Sequence, residues 1–373
     1  MSASEAKPGS KPWMPDHRDL ELVIGLVAPL GTKLDVVVDI LRDRLQIARY
    51  DVRQIHVARD VIPLVENLEV DGCSPFEIAM RKMDAGDEAR QRSGDNAILA
   101  LGAAARIFNT RELDEKGTHR TLGRAAHIVR SIKHPEEVER LREVYPQGFY
   151  LIGVNADDSR RLRFLVDDRR MTEEHARTLM QRDEDEQLSH GQKVADAFHM
   201  ADFFARLDEN SDRLYSNLKR IVDLIMGYPY HTPTFDEYAM FLAFAASLRS
   251  ADLSRQVGAV IADEHHREVL ATGANDCPRG GGGLYWPVDR GGIIADEPDG
   301  RDYVRGVDPN VAERKALIAE IGKHAKTCNL DEQAVCKLLQ NSALRDITEY
   351  GRVVHAEWRR CSRVREIGCL RAA

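Results

Sequence analysis

A mostly continuous apolar run that leads through a glycine turn into an amphipathic helix constrains the fold of this chain most. The run Leu20–Val27 has the length of a strand, and such runs are typical of strands buried on both faces of a parallel sheet. The turn Ala28–Lys33 follows it. The next helix places five apolar residues on one face: Leu34, Val37, Val38, Leu41 and Leu45. Strand, turn and helix together predict an α/β fold with a phosphate site where the helix begins.

The turn is similar to a phosphate-binding P-loop, whose pattern is Gly-x-x-x-x-Gly-Lys-Ser/Thr. Gly25 stands one residue too early relative to Gly31, and the order Thr32-Lys33 reverses that of lysine and hydroxyl. The order matters because the lysine normally reaches the β- and γ-phosphates while the hydroxyl holds magnesium. We interpret Gly25, Gly31, Thr32 and Lys33 as candidate nucleotide-binding residues. The alternative is a βα turn that bears a glycine and binds nothing.

Further strands and helices alternate after this segment in the sequence. Residues 52–125 are mostly helical in pattern, and Asp95–Phe108 is the clearest helix there. Residues 126–132 and 148–154 are strand candidates, and a helix with proline in its first turn, Pro135–Arg142, lies between them. Alternating strands and helices indicate a parallel sheet, so a P-loop kinase-like domain is predicted over residues 18–226.

Composition and local patterns predict where this domain begins and ends. Residues 1–17 are rich in proline, serine and lysine and predict a disordered leader. The acidic segment Asp183–Gln187 predicts a solvated helix face. A helix over residues 210–225 closes the domain, and Gly227–Pro233 marks the break before a second domain.

Composition describes a soluble globular protein, with 43% hydrophobic and 31% charged residues. A net charge of −8 argues against a sequence-independent nucleic-acid binder, which would have a basic surface. Six scattered cysteines do not form the pattern of a disulfide framework. No signal peptide or membrane-spanning apolar run is found, so the expected compartment is the cytoplasm.

The second domain begins with a capping box, Thr234-x-x-Glu237. The helix Tyr238–Leu248 is apolar nearly all round and is expected to be buried. Two strand patterns follow, Arg255–Ile261 and Glu268–Gly273, joined by a charged turn. Together they predict a β-hairpin.

His355 and Glu357 form a His-x-Glu pair near the end of the sequence. In zinc-dependent deaminases this pair supplies one metal ligand and the proton shuttle, and a later Pro-Cys-x-x-Cys supplies two more ligands. No Pro-Cys-x-x-Cys follows in this sequence. As a bare pattern the pair is also compatible with the start of an ordinary surface helix.

Four segments of the second domain resemble the deoxycytidylate deaminase family of the cytidine deaminase superfamily. They are Tyr238–Ser250, Arg255–Ile261, Ala271–Asn275 and Val354–Glu357. With the α/β domain in front, residues 20–357 resemble the two-domain deoxycytidine-nucleotide deaminases of bacterial anti-phage defence. Those proteins pair a degenerate P-loop kinase-like domain with an α/β/α deaminase. The resemblance implies zinc-dependent hydrolysis of dCMP or dCTP to the uracil form, and depletion of these nucleotides during infection.

The resemblance also implies roles for single residues. His355 would bind zinc, and Glu357 would carry protons between the zinc-bound water and the base. Asn275 would contact the sugar, and the segment from Ser250 to Arg255 would approach the phosphate. The alternative for Asn275 is a turn residue tolerant of positive φ.

The sequence departs from the family after Glu357. Residues 358–373 carry five arginines without a helical apolar face, and Cys361 and Cys369 are eight residues apart where the zinc site needs three. We therefore expect an incomplete deaminase domain over residues 227–357 and little catalysis, whether from a frameshift, a truncation or a natural loss.

Three functions remain open for this sequence. They are a deoxycytidine-nucleotide deaminase, a nucleotide-binding regulatory pseudoenzyme, and a nucleotide kinase, which the Thr32-Lys33 order disfavours. The expected partners are a deoxycytidine nucleotide and a second nucleotide at the turn, with no membrane and no nucleic acid. Assembly of identical chains is left open.

Overall fold

A computed structural model describes residues 20–337, apart from 67–70, 114–116, 118, 185–190, 209, 254–255, 276–285, 292, 297–300, 308, 328–330, 332 and 336. The chain divides into two compact units between His231 and Thr232, and each is described by itself. No helix in this described part combines the length and apolar character that crossing a lipid bilayer requires.

The first unit is built from alternating strands and helices. Its strands are β1 (Leu22–Val27), β2 (Asp51–His56), β3 (Ala125–Ile132), β4 (Phe149–Asn155) and β5 (Phe203–Arg206). Its helices are α1 (Leu34–Ile47), α2 (Ile62–Val65), α3 (Pro75–Ser93), α4 (Ile98–Phe108), α5 (Pro135–Val144), α6 (Asp158–Arg163), α7 (Glu173–Glu184), α8 (Val194–His199) and α9 (Ser211–Ile225). Two π-helices, Val57–Val61 and Phe164–Asp168, lie among them.

The five strands form one parallel sheet in the order β2-β3-β1-β4-β5. All six residues of β1 are buried, as expected of a central strand covered on both faces. One apolar core packs α1 and α9 on one face of the sheet, and the other packs α3, α4, α5 and α8 on the opposite face. The first unit is thus the P-loop kinase-like parallel α/β domain that the sequence predicts.

The amphipathic pattern of α1 is confirmed, since all five of its predicted core residues are buried. The predicted strands β1, β3 and β4 and the helices α5 and α9 are confirmed within two residues at each end. The interpretation of residues 52–125 as mostly helical missed β2, which pairs with β3 alone at the edge of the sheet. An edge strand packs less of its surface, and β2 has one buried residue, so its sequence lacks the apolar signal of β1.

In the second unit, α10 (Phe235–Ser247) precedes an antiparallel hairpin of β6 (Gly258–Asp263) and β7 (Glu268–Ala274). A short second hairpin follows, with β8 (Val288–Arg290) and β9 (Ile293–Ala295), and then α11 (Asp302–Arg305) and α12 (Pro309–Thr327). The predicted capping box is confirmed, because the Glu237 N–H donates to Thr234 Oγ1 and the Thr234 N–H donates to the Glu237 carboxylate. The predicted hairpin is confirmed as β6–β7.

The expectation that the apolar helix α10 is buried is wrong for the described structure, where none of its residues is buried. The side chains of Met240, Phe241 and Phe244 are more than 60% exposed. The helix packs on the β6–β7 hairpin, and Gly258 approaches the carbonyl of Ala243 so closely that no Cβ would fit. One hairpin covers one side of a helix, so apolar side chains on the other sides of α10 stay exposed in the described part of the unit. The deaminase-like α/β/α architecture of this domain stays a prediction.

Candidate functional site

A cleft of about 370 Å³ opens at the carboxyl edge of the parallel sheet. It is lined by residues that follow three strands: Gly31 and Lys33 after β1, Ala156 after β4, and Leu207 after β5. The chain leaves β1 toward one edge of the sheet and leaves β4 toward the other. Ligands of open α/β sheets bind in the crevice at such a switch point, so the topology marks the same place as the cleft.

The turn Ala28–Lys33 forms one wall of this cleft. Gly31 has a φ of +86°, and a Cβ there would lie 2.9 Å from both the Cβ and the carbonyl oxygen of Arg161. Glycine is therefore required on two counts, the left-handed backbone and the close approach of α6. The turn packs directly against this helix, which also donates from the Arg161 guanidinium to the carbonyl of Leu30 (3.3 Å).

The buried carboxylate of Asp183 stabilises the turn. The N–H of Leu30 donates to Asp183 Oδ2 (2.6 Å), and Lys133 Nζ donates to Asp183 Oδ1 (2.7 Å) and to the carbonyl of Ala28 (3.0 Å). The interpretation of the acidic segment 183–187 as a solvated helix face is thus wrong for Asp183, which is fully buried. The reason is its ion pair with Lys133 at the carboxyl end of β3, a contact that the local sequence does not reveal.

Of the neighbours Thr32 and Lys33, Lys33 lines the cleft and Thr32 does not. Lys33 Nζ lies 2.7 Å from Asp168 Oδ2, and both side chains are about half exposed. Thr32 is buried, and its hydroxyl has no hydrogen-bond partner among the described residues. The lysine therefore faces the cleft but is already paired, while the hydroxyl is an unused donor and acceptor.

Arg160 and Arg163 supply the free positive charge of the cleft. Both line it from α6, and within the described structure neither guanidinium has a carboxylate within 4.0 Å. The same two arginines also line an adjoining cleft of about 360 Å³, together with Asn210 and Arg213 at the start of α9. Sequence reasoning missed these residues, although the run Arg160-Arg161-Leu162-Arg163, which begins six residues after a predicted strand, was a usable signal.

The structure divides the predicted nucleotide-binding residues into two groups. Gly31, Thr32 and Lys33 lie together in the turn. Gly25 lies inside β1, where a Cβ would stand 2.6 Å from Ile132 Cδ1 and 3.0 Å from Leu151 Cδ1. We therefore assign Gly25 to sheet packing and not to the cleft.

Of the predicted deaminase residues, Ser250 and Asn275 come together. Ser250 Oγ donates to the carbonyl of Asn275 (2.9 Å). The Asn275 amide oxygen accepts from the N–H of Val257 (2.8 Å), and its amide nitrogen donates to Asp252 Oδ2 (3.2 Å). The side chain thus ties the start of β6 to the end of β7. The φ of Asn275 is not positive, so this role differs from the positive-φ turn residue that was the alternative for it.

The structure does not test the predicted zinc site. Arg255, His355 and Glu357 lie outside the described residues. In the part of the chain that is described, no three side chains of the His, Cys, Asp and Glu types come close enough to hold a metal ion. The roles of His355 and Glu357 therefore stay predictions from the sequence.

Comparison with known proteins finds no matching family model and no matching curated protein. Solved structures similar to this chain include a gluconokinase from Sinorhizobium meliloti 1021, at 11% identity over 57% of this chain and 100% of that one, with a TM-score of 0.34. A shikimate kinase from Acinetobacter baumannii in complex with shikimate matches at 10% identity over 57% and 97%, with a TM-score of 0.33. A dephospho-CoA kinase from Campylobacter jejuni matches at 11% over 55% and 97%, with a TM-score of 0.26.

Proposed function

We propose that the first unit binds a nucleotide through its phosphate groups in the cleft beside Gly31, without transferring a phosphoryl group. The observation that carries the proposal is the pair of guanidiniums, Arg160 and Arg163, which face a cleft at the start of α1 without a carboxylate partner in the described structure. Arginines bind phosphate oxygens through two parallel hydrogen bonds, and the first turn of a helix attracts negative charge. A volume of about 370 Å³ lies within the range of small-molecule sites.

Phosphoryl transfer is less well supported than binding. Transfer in a P-loop needs a lysine on the β- and γ-phosphates and a hydroxyl on magnesium, in that order. Here the lysine is paired with Asp168 and the hydroxyl of Thr32 is buried one residue before it. The N–H of Leu30 in the turn already donates to Asp183, so it is not available to donate to a phosphate.

Calorimetric titration of the full chain with ATP and with dCTP tests the proposal. We expect saturable binding that weakens about tenfold in Arg163→Gln, since one charge-assisted contact is worth roughly 1.5–3 kcal/mol. The matched control is Arg177→Gln, an exposed arginine of α7 paired with Glu173, which should bind as the unaltered protein does. Equal affinity in both variants, or no binding to any of them, would contradict the proposal. Rapid phosphate transfer to a nucleoside monophosphate would favour the kinase instead.

We further propose that the second unit is deaminase-like and acts on a deoxycytidine nucleotide. The proposal rests on the sequence resemblance, and the observation that favours it is the hydrogen bond joining Ser250 to Asn275. Two of the three predicted substrate-binding residues thereby lie at one end of the β6–β7 hairpin. Zinc would polarise a water for attack on the base, and Glu357 would carry the proton.

Zinc content and product formation test this second proposal. The sequence holds His355 but no Pro-Cys-x-x-Cys, so we expect less than one zinc per molecule and no conversion of dCMP or dCTP to the uracil form. A chain extended by a Pro-Cys-x-x-Cys segment should gain both, and Glu357→Ala in that protein should remove activity while keeping the metal. Full zinc loading and deamination by the unaltered chain would show that other residues complete the site.

A further inference from the structure

Four residues that line the nucleotide cleft lie on one face of a single helical segment. The segment is α6 together with the Phe164–Asp168 π-helix, which continues it without a break. The four residues are Arg160, Arg163, Phe164 and Asp167. The last three follow the first by three, four and seven positions, which is the spacing of one helical face. Arg161 and Leu165 turn to another side of the segment and are buried.

The chemistry of this face changes along the helix axis. The two arginines come first, the ring of Phe164 follows, and the carboxylate of Asp167 comes last. About 10 Å along the axis separate the first and last of these positions. The arginines also line the adjoining cleft, whereas Phe164 and Asp167 line the first cleft alone of the two. A nucleotide with its phosphates on the arginines can therefore extend its base over Phe164 toward Asp167.

Phe164 supplies an aromatic surface for that base. Its side chain is half-buried and lines the cleft together with the apolar residues Ala156 and Leu207. Lys33 Nζ and the guanidinium of Arg169 lie 5.6 and 5.3 Å from the ring centre, in the outer part of the range of cation–π contacts. Aromatic rings stack on every base, so Phe164 accounts for the binding of a base but not for a choice among bases.

Asp167 is the group on this face that can choose among bases. Its neighbour Asp168 is paired with Lys33 at 2.7 Å, whereas among the described residues no cation lies within 4.0 Å of the Asp167 carboxylate. An ionised carboxylate accepts hydrogen bonds and donates none. It also repels a further anion, so the group of a ligand that meets Asp167 must be an uncharged or positive donor.

We propose that the cleft selects nucleotides of adenine or cytosine, with the base on Phe164 and its exocyclic amino group donating to Asp167. Hypoxanthine and uracil carry a carbonyl oxygen where adenine and cytosine carry that amine. A carbonyl oxygen that faces a carboxylate places two acceptors together without a proton between them. The inference rests on the proposed nucleotide binding and adds the class of base to it.

Calorimetric titration of the full chain with two matched pairs of nucleotides tests the inference. ATP and ITP share sugar and phosphates and differ at the amino group of the base, and dCTP and dUTP form a second such pair. We expect ATP and dCTP each to bind about tenfold more tightly than its carbonyl counterpart. In Asp167→Asn this preference should disappear, because an amide donates to a carbonyl as readily as it accepts from an amine. The control is Asp196→Asn, an exposed carboxylate of α8 outside the cleft lining, which should keep the preference.

Phe164→Leu separates stacking of the base from binding of the phosphates. It should weaken ATP and dCTP about tenfold and leave the binding of inorganic triphosphate unchanged. An equal loss of ATP and of triphosphate would mean that the ring does not hold the base.

The unaltered protein distinguishes failure of this inference from failure of the proposed function. Equal affinities within each nucleotide pair would overturn the selection of a base and leave the proposed phosphate binding in place. A preference that survives in Asp167→Asn would overturn the role of that carboxylate. No binding of any of the four nucleotides would reject the proposed function and this inference with it.

Discussion

Replacing Glu137 by alanine is expected to lower the free energy of unfolding of the first unit by about 3–5 kcal/mol. Glu137 lies 2.9 Å from Arg90 Nη2, and both side chains are only 2% exposed. The second carboxylate oxygen accepts from the N–H groups of Lys133 and His134. The variant would leave the buried Arg90 guanidinium with Asp87 (3.1 Å) as its remaining carboxylate partner and would remove the cap of α5, so two costs act together.

Urea denaturation followed by circular dichroism, with hydrogen exchange of peptides from β1 and β4, measures this effect in the first unit. Tryptophan fluorescence is unsuitable, because the first unit holds no tryptophan among its described residues. The control is Glu139→Ala, an exposed position on the same helix, which should change stability by no more than about 0.5 kcal/mol. Similar losses in the two variants would show that the buried ion pair does not stabilise the fold.

Replacing Asp183 by asparagine is expected to tighten ATP binding about tenfold while it destabilises the empty protein. The carboxylate of Asp183 takes the Leu30 N–H and the Lys133 ammonium at the turn, which are groups that a phosphate would use. Asparagine has nearly the same shape but no charge, so Lys133 would gain a free positive charge beside the cleft. The ligand would then restore part of the stability that the ion pair provided.

Calorimetry and thermal melting with and without ATP measure the two effects of this change. The melting temperature without ligand should fall, and its rise on adding ATP should exceed that of the unaltered protein. Glu174→Gln, an exposed carboxylate on the same helix, serves as the control for the loss of one negative charge. Weaker ATP binding in Asp183→Asn would mean that the carboxylate supports the turn and does not compete with phosphate.

The sequence alone determined the elements whose signals are local. The fully buried run of β1, the 3.6-residue pattern of α1 and the proline in the first turn of α5 each lie within a few residues, and each is confirmed. The same holds for the capping box at Thr234 and the β6–β7 hairpin. Such patterns show which face of one segment is apolar, and they can be read without knowing where the rest of the chain lies.

The tertiary structure decided what depends on distant partners. Asp183 is buried because Lys133, 50 residues away, reaches it, although its acidic neighbours predicted a solvated face. Gly25 serves packing between neighbouring strands rather than the turn, and β2 became a strand through pairing with β3. Arg160 and Arg163 face the cleft because the parallel sheet gathers its carboxyl ends at one edge. Burial, strand pairing and charge pairing depend on contacts between segments that are distant in the sequence. A short stretch of sequence therefore does not predict them.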